Sequence, residues 1–177
     1  MKRATLFTTL VLVLFVFAGA VSADETVKGN TSSRKVVEFM DNYYDTYNKY
    51  GQDAESIDMM DEYWAPEFMV VVYFPLPEYP TMDLFTWKHF LVGAHTHAIE
   101  TIHCEELSVD TENKTAVSRI VIEFHDRSTD ALLLKTDGIG FYNFKVDKKN
   151  RLKMTRLRLY FADPALMMQL SAPAPVN

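Results

Sequence analysis

The chain of 177 residues carries a single cysteine, Cys104, which excludes an internal disulfide. Without that staple the fold has to rest on its core, and a hydrophobic content of 48% is enough to build one. A lone strand cysteine packs as a small apolar residue. Positive charge is also short, with 18 Lys and Arg against 24 Asp and Glu. That balance excludes nucleic acid or an anionic membrane as the main partner. The charges are dispersed and read as a solvated surface. There is no internal repeat, and the longest apolar run, Leu6 to Ala20, is too short to span a bilayer comfortably.

What is present begins with that run. Lys2 and Arg3 precede it and the small residues Val21-Ser22-Ala23 follow it, the pattern of a signal peptide over residues 1–23, cleaved before Asp24. The expectation is a secreted protein, periplasmic in a Gram-negative host, with no membrane attachment after cleavage. The mature chain keeps about 154 residues and a net charge of about −8, the size of one domain. Residues 24–31 read as a flexible lead-in, 32–170 as the domain and 171–177 as a disordered tail. Two glycosylation sequons occur, Asn30-Thr31-Ser32 and Asn113-Lys114-Thr115.

Val36, Met40, Tyr43, Tyr47 and Tyr50 recur at helical spacing and predict a helix from about Ser32 to Tyr50, closed by Gly51. Three of those five are tyrosines, so the stripe carries hydroxyls inward, which favours a polar cavity over a dry core. A second helix is expected over 54–64 with Asp53 as cap, stopped by Ala65-Pro66. Phe68 to Phe74 is apolar on both faces and predicts a buried strand; the proline-rich PLPEYP follows. Thr81 caps a third helix running to about Val92. The stretch from His97 to Asp126 predicts two long strands joined by a polar turn near Glu112. Strands near 132–146 and 152–161 follow, then a short helix from Asp163-Pro164 through Leu170. The order predicts an α+β fold: a curved antiparallel sheet forming a cone, three helices on its concave side, a short C-terminal helix, and a pocket between sheet and helices.

The pieces DTYN, WAPEFMVVVYF, IHCEELSVD, EFHDR and RLRLYFADPALMMQL, in this order, resemble the SnoaL-like and scytalone-dehydratase-like branch of the nuclear-transport-factor-like superfamily, over about Ser33 to Leu170. The resemblance implies dehydratase, isomerase or cyclase chemistry on polyketide-like or steroid-like rings, or ligand binding without catalysis, and no cofactor. It places a Tyr-Asp pair at Tyr47-Asn48, a strand tyrosine at Tyr73, and two histidines on adjacent strands at His103 and His125. The serine and asparagine of its next strand fall near Gly138 and Gly140 and are absent. In the ketosteroid-isomerase-like branch the helix tyrosine falls on Tyr43, while the two carboxylates fall on Phe74 and near Tyr142, so that chemistry is missing at those positions.

His103, His125, Tyr47 and Asn48 are therefore the candidate catalytic residues, with Tyr43, Tyr73, Trp64, Trp87 and Tyr142 as candidate ligand contacts. Histidine titrates near neutrality and suits general acid–base work, with tyrosines polarising a carbonyl. The alternation of the second strand points the other way. Ile120, Ile122 and Phe124 share one face and Arg119, Val121, Glu123 and His125 the other, so an apolar core would turn His125 outward, and His103 with it. His95-Thr96-His97, with His89 upstream, offers an H-x-H pair, but no metal pattern is matched and none is expected. The candidate functions are acid–base catalysis on a small apolar or aromatic ligand, and a non-catalytic binding or interaction domain dimerising through the convex sheet face.

Overall fold

Ser32 stands in extended backbone, and its hydroxyl accepts from the Lys35 N–H at 3.4 Å. Helix α1 (Ser33–Tyr50) starts there. The structure, a computed structural model, describes residues 32–73 and 81–162. The leader, the lead-in, the C-terminal helix and the tail anticipated from sequence lie outside those residues.

Val36, Met40, Tyr43, Tyr44 and Tyr47 form the buried stripe of α1; Tyr50 sits at its margin. Gly51 ends the helix with φ −77°, so left-handed backbone is not the reason for glycine. Space is the reason: a Cβ there would lie 2.6 Å from a ring carbon of Tyr47. The expected second helix is a 3-10 helix, Ile57–Glu62, whose buried residues Ile57 and Met60 stand at the three-residue spacing of that geometry. Its last carbonyls, Asp61 O and Glu62 O, accept from the Lys153 ammonium at 2.8 and 2.6 Å. Burial lowers the pKa of that lysine.

Trp64 leaves the predicted helix and opens β1 (Trp64–Tyr73). Pairing slips between Trp64 and Met69, and Pro66, which has no N–H to give a ladder, sits in that irregularity. After β2 (Thr81–Asp83) the cap of α2 (Leu84–Ala94) is Asp83, not Thr81; its carboxylate accepts from Thr86 N at 2.8 Å. Strands β3 (Ala98–Asp110), β4 (Thr115–Asp126), β5 (Leu132–Val146) and β6 (Leu152–Phe161) follow.

The six strands form one curved, unclosed sheet in the order β2-β1-β6-β5-β4-β3. The sheet is mixed, because β1 runs parallel to β6 while every other neighbouring pair is antiparallel. Its inner face presents Phe68, Val70 and Val72 from β1, Leu157 from β6, Tyr142 and Phe144 from β5, and Ile120, Ile122 and Phe124 from β4. These pack with the buried stripe of α1 and with Trp87 and Leu91 of α2.

Strand β3 is one edge of the sheet, and two side-chain amides, one from α1 and one from the turn that follows it, cover part of it. Asn48 gives Nδ2 to Ile102 O (2.9 Å) and takes Ile102 N on Oδ1 (2.8 Å). Four residues on, just past the end of α1, Gln52 does the same with Glu100 O (2.5 Å) and Glu100 N (2.7 Å). The match follows from spacing: a step of two strand residues is about 6.6 Å, and the last turn of α1 with the residues that follow it sets the second amide at that distance. The two amides replace a neighbouring strand and blunt the edge.

Candidate active site

Between the inner face of the sheet, α1 and α2 lies a cavity of about 60 Å³. That is room for about four waters or the reacting end of a small ligand. Most of the wall is apolar: Trp87, Phe90, Leu91 and Ala94 come from one stripe of α2, and Ile120, Ile122, Phe124 and Leu157 from the sheet.

A first polar cluster interrupts that wall. Helix α2 ends at His95, whose Nδ1 lies 2.7 Å from the Leu91 carbonyl. A carbonyl only accepts, so Nδ1 carries a proton. The other nitrogen, Nε2, is 3.1 Å from Oε2 of Glu100 on β3. With Nδ1 already protonated, an attractive contact there requires one more proton held between nitrogen and oxygen. The Tyr47 hydroxyl donates to the same Oε2. Both contacts fall on Oε2, and Oε1 takes no hydrogen bond from the described residues. His95 is 3% exposed and Glu100 6%, so this proton-holding pair is out of bulk water.

The surroundings fix the pair. The imidazole lies nearly parallel to Phe124 at a centroid distance of 6.1 Å. Arg127 donates from Nε to the His95 carbonyl at 2.6 Å and reaches Asp53 at 2.9 Å, so Asp53 anchors an arginine rather than capping a helix. Gln52 holds the backbone of Glu100 from both sides.

A second polar group is a triangle of hydroxyls: Tyr44 to Tyr142 at 2.7 Å, Tyr44 to Ser118 at 2.8 Å, and Ser118 to Tyr142 at 3.1 Å. Burial raises the pKa of Tyr43, Tyr44 and Tyr47, and pushes Tyr142 up to about 12. For Tyr47 the nearby Glu100 charge acts in the same direction. All four are therefore neutral donors at ordinary pH. Gly140 makes the triangle possible, since a Cβ there would stand 2.1 Å from the Tyr142 hydroxyl. Gly140→Ala is expected to push that ring aside and lower stability by about 1–3 kcal/mol, measured by urea unfolding; an unchanged midpoint would contradict the packing described.

Of the residues singled out from sequence, Tyr43, Tyr47, Trp87 and Tyr142 line the cavity. His103 and His125 do not. His103 pairs with Val121 on the outer face and is exposed. His125 lies on that same face, its Nε2 3.7 Å from Glu123 and its Nδ1 3.2 Å from the Asp130 carbonyl. The alternation of β4, with Ile120, Ile122 and Phe124 inward, is the cause. Asn48 is engaged by the backbone of Ile102, so both ends of its amide are used. Trp64 stacks on Phe68 (5.4 Å, 11°) in the core, and Tyr73 stacks on Tyr160 (4.0 Å, 9°); neither lines the cavity. The H-x-H pair divides, with His95 buried and His97 exposed. From sequence His95 is considered only for a metal, and neither it nor Glu100 nor Tyr44 is among the candidate catalytic or ligand-contact residues. The available signal was a carboxylate, Glu100, in register with Ala98 and Ile102 on an inward-facing strand position.

An α1–sheet–α2 enclosure around a polar cluster, on a six-stranded unclosed sheet, can be compared with solved structures. A pinacolase, BvnE from Penicillium brevicompactum, superposes with a TM-score of 0.62 at 10% identity, over 85% of this chain and 96% of its own. A protein assigned as a SnoaL-like polyketide cyclase from Jannaschia sp. CCS1 gives 0.57 at 11% identity, over 86% and 100%. This chain has the SnoaL-like, nuclear-transport-factor-like fold. An NTF2-like protein of unknown function from Shewanella baltica OS155 shares it, with a TM-score of 0.52 at 10% identity over 76% and 99%. No protein-family model matches the sequence, and no curated protein matches it. The SnoaL-like fold accounts for the position of the cavity, between the curved sheet and its helices; the residues in it belong to this chain.

Proposed function

We propose that this domain is a cofactor-independent acid–base enzyme, of the lyase or isomerase kind, acting on a small apolar ligand that carries a carbonyl. The observation that carries this reading is the convergence of Tyr47 and His95 on one oxygen of Glu100 in the wall of an apolar cavity. Oε1 of Glu100 serves as the base and takes a proton from carbon next to the ligand carbonyl, whose oxygen gains the electron pair as an enolate. Tyr47 and His95 hold the carboxylate in place through Oε2, and the excluded water strengthens each of these contacts. Returning the proton to the same carbon gives exchange, returning it elsewhere gives isomerisation, and loss of a neighbouring hydroxyl gives dehydration. The fold's other members include proteins whose names denote a pinacolase and a polyketide cyclase, which supports small-molecule chemistry in this cavity.

The reading extends to export through the N-terminal leader, and to pairing of two copies through the outer sheet face, where Ile139 is 43% exposed, two residues before Phe141 and opposite Arg119. The rival reading is a ligand-binding domain without turnover, which the same apolar wall would serve. Cyclohexanone in deuterated buffer separates the two. The acid–base reading predicts incorporation of deuterium at the α-carbons above the buffer rate. Binding of the ketone with incorporation at the buffer rate supports the rival.

A further inference from the structure

Among the described residues that line the cavity, Trp87 carries a buried hydrogen-bond donor that has no partner and that the acid–base cluster does not use. Trp87, on α2, is 3% exposed, and its indole forms part of the wall. Its Nε1–H reaches neither solvent nor a hydrogen-bond partner among the described residues. The indole stacks against Phe90 at 5.5 Å and 16°, which fixes the plane of the ring and therefore the line of the N–H. Trp64, the other tryptophan, differs: its indole also lacks a completed bond, but it faces the Tyr43 hydroxyl and lies off the cavity. An indole N–H only donates, and a buried donor left without an acceptor is disfavoured.

The position of Trp87 adds a constraint. It stands eight residues before His95, about 12 Å along the axis of α2 at 1.5 Å per residue, with Leu91 between them on the same stripe. The donor therefore lies toward one end of the wall and the proton-holding pair toward the other.

From this we infer that Trp87 is a specificity-determining residue: the ligand presents an accepting oxygen, a carbonyl or ether, to the Trp87 N–H. The body between that oxygen and the atom approached by Glu100 is apolar, because Leu91, Ile120, Ile122 and Leu157 line the interval. A pure hydrocarbon would leave the donor unsatisfied, and a ligand anion would find no cation among the described residues that line the cavity, apart from the proton shared by His95 and Glu100. The inference rests on the cavity being the ligand site.

The test uses two probes of the same shape, cyclohexanone and methylenecyclohexane, titrated into the full domain and into Trp87→Phe while following the tryptophan indole N–H resonances. In the native protein the ketone is expected to move one indole resonance downfield, the one missing in Trp87→Phe, and the alkene to leave it in place. Removing the indole costs both probes packing, so the difference between probes is the readout. The ketone is expected to lose about three- to tenfold more affinity than the alkene, the worth of one neutral hydrogen bond. Equal losses, with no selective shift of the Trp87 resonance, would overturn this inference and leave the cavity reading standing. Failure of both probes to perturb any cavity residue would overturn the two together.

Discussion

Glu100→Ala is expected to lower the stability of the domain by about 3–5 kcal/mol, the usual cost of removing one member of a buried pair. The cause is what remains behind. His95 stays 3% exposed with Nδ1 tied to Leu91, and its Nε2 loses its partner, as does the Tyr47 hydroxyl. Glu100→Gln keeps the shape, and with its amide oxygen at the Oε2 position it can still accept from Tyr47 and from a protonated Nε2, so more of the stability should be retained than in Glu100→Ala. Turnover should not be retained: an amide cannot take a proton, and loss of a positioned general base lowers rate by about 10²–10⁴-fold. Urea unfolding of the two variants beside the native protein gives the stability, and deuterium incorporation into cyclohexanone gives the rate. A Glu100→Gln protein that folds well and exchanges at the native rate would remove Glu100 from the chemistry.

The second large effect is alkaline unfolding. Tyr43, Tyr44, Tyr47 and Tyr142 are buried, and burial raises the pKa of each above the value of 10.0 that applies in an unfolded chain. The folded state therefore holds protons that the unfolded state releases. Stability from these groups is fully present below pH 10 and is lost as pH rises through the folded values, of which Tyr142, at about 12, sets the upper bound for its own contribution. While all four protons are held only by the folded state, the slope approaches about 5.5 kcal/mol per pH unit, four times about 1.4. A domain of ordinary stability cannot survive more than one to two such units. Circular dichroism and tyrosinate absorbance should thus change together in one steep step between about pH 11 and 12. A gradual rise of tyrosinate absorbance in a protein that keeps its secondary structure would mean that these hydroxyls are open to water.

Much of the fold follows from periodicity. The inward tyrosines of α1 repeat at helical spacing, and the strands over 132–146 and 152–161 have the bounds their residues imply, because each is a long run between polar turns. Local pattern is less informative where tertiary contacts decide. Trp64 carries helical spacing yet joins a strand, since its backbone pairs with Met154 of β6. Asn48 occupies the place where the resemblance puts an aspartate, but its role depends on β3 being a sheet edge with backbone groups to satisfy, which no local pattern reveals.

The site divides in the same way. The outward direction of His125 could be read from the alternation of β4, which outweighs the positions the resemblance assigns to the two histidines. The inner cluster was harder to read because it forms across a turn: His95 ends α2, Glu100 lies five residues on in β3, and Tyr47 comes from another helix. His95 and His97 look equivalent in sequence, and only the turn between α2 and β3 buries one and exposes the other.

The most direct test of the inner cluster compares it with the outer histidines in one assay, deuterium incorporation into cyclohexanone by Glu100→Gln and by the double variant His103→Ala/His125→Ala, each checked for native fold. The inner-cluster account predicts that Glu100→Gln falls to the buffer rate while the double histidine variant stays within about twofold of native. Loss of exchange in the double variant with retention in Glu100→Gln would contradict it and move the chemistry to the other face of the sheet.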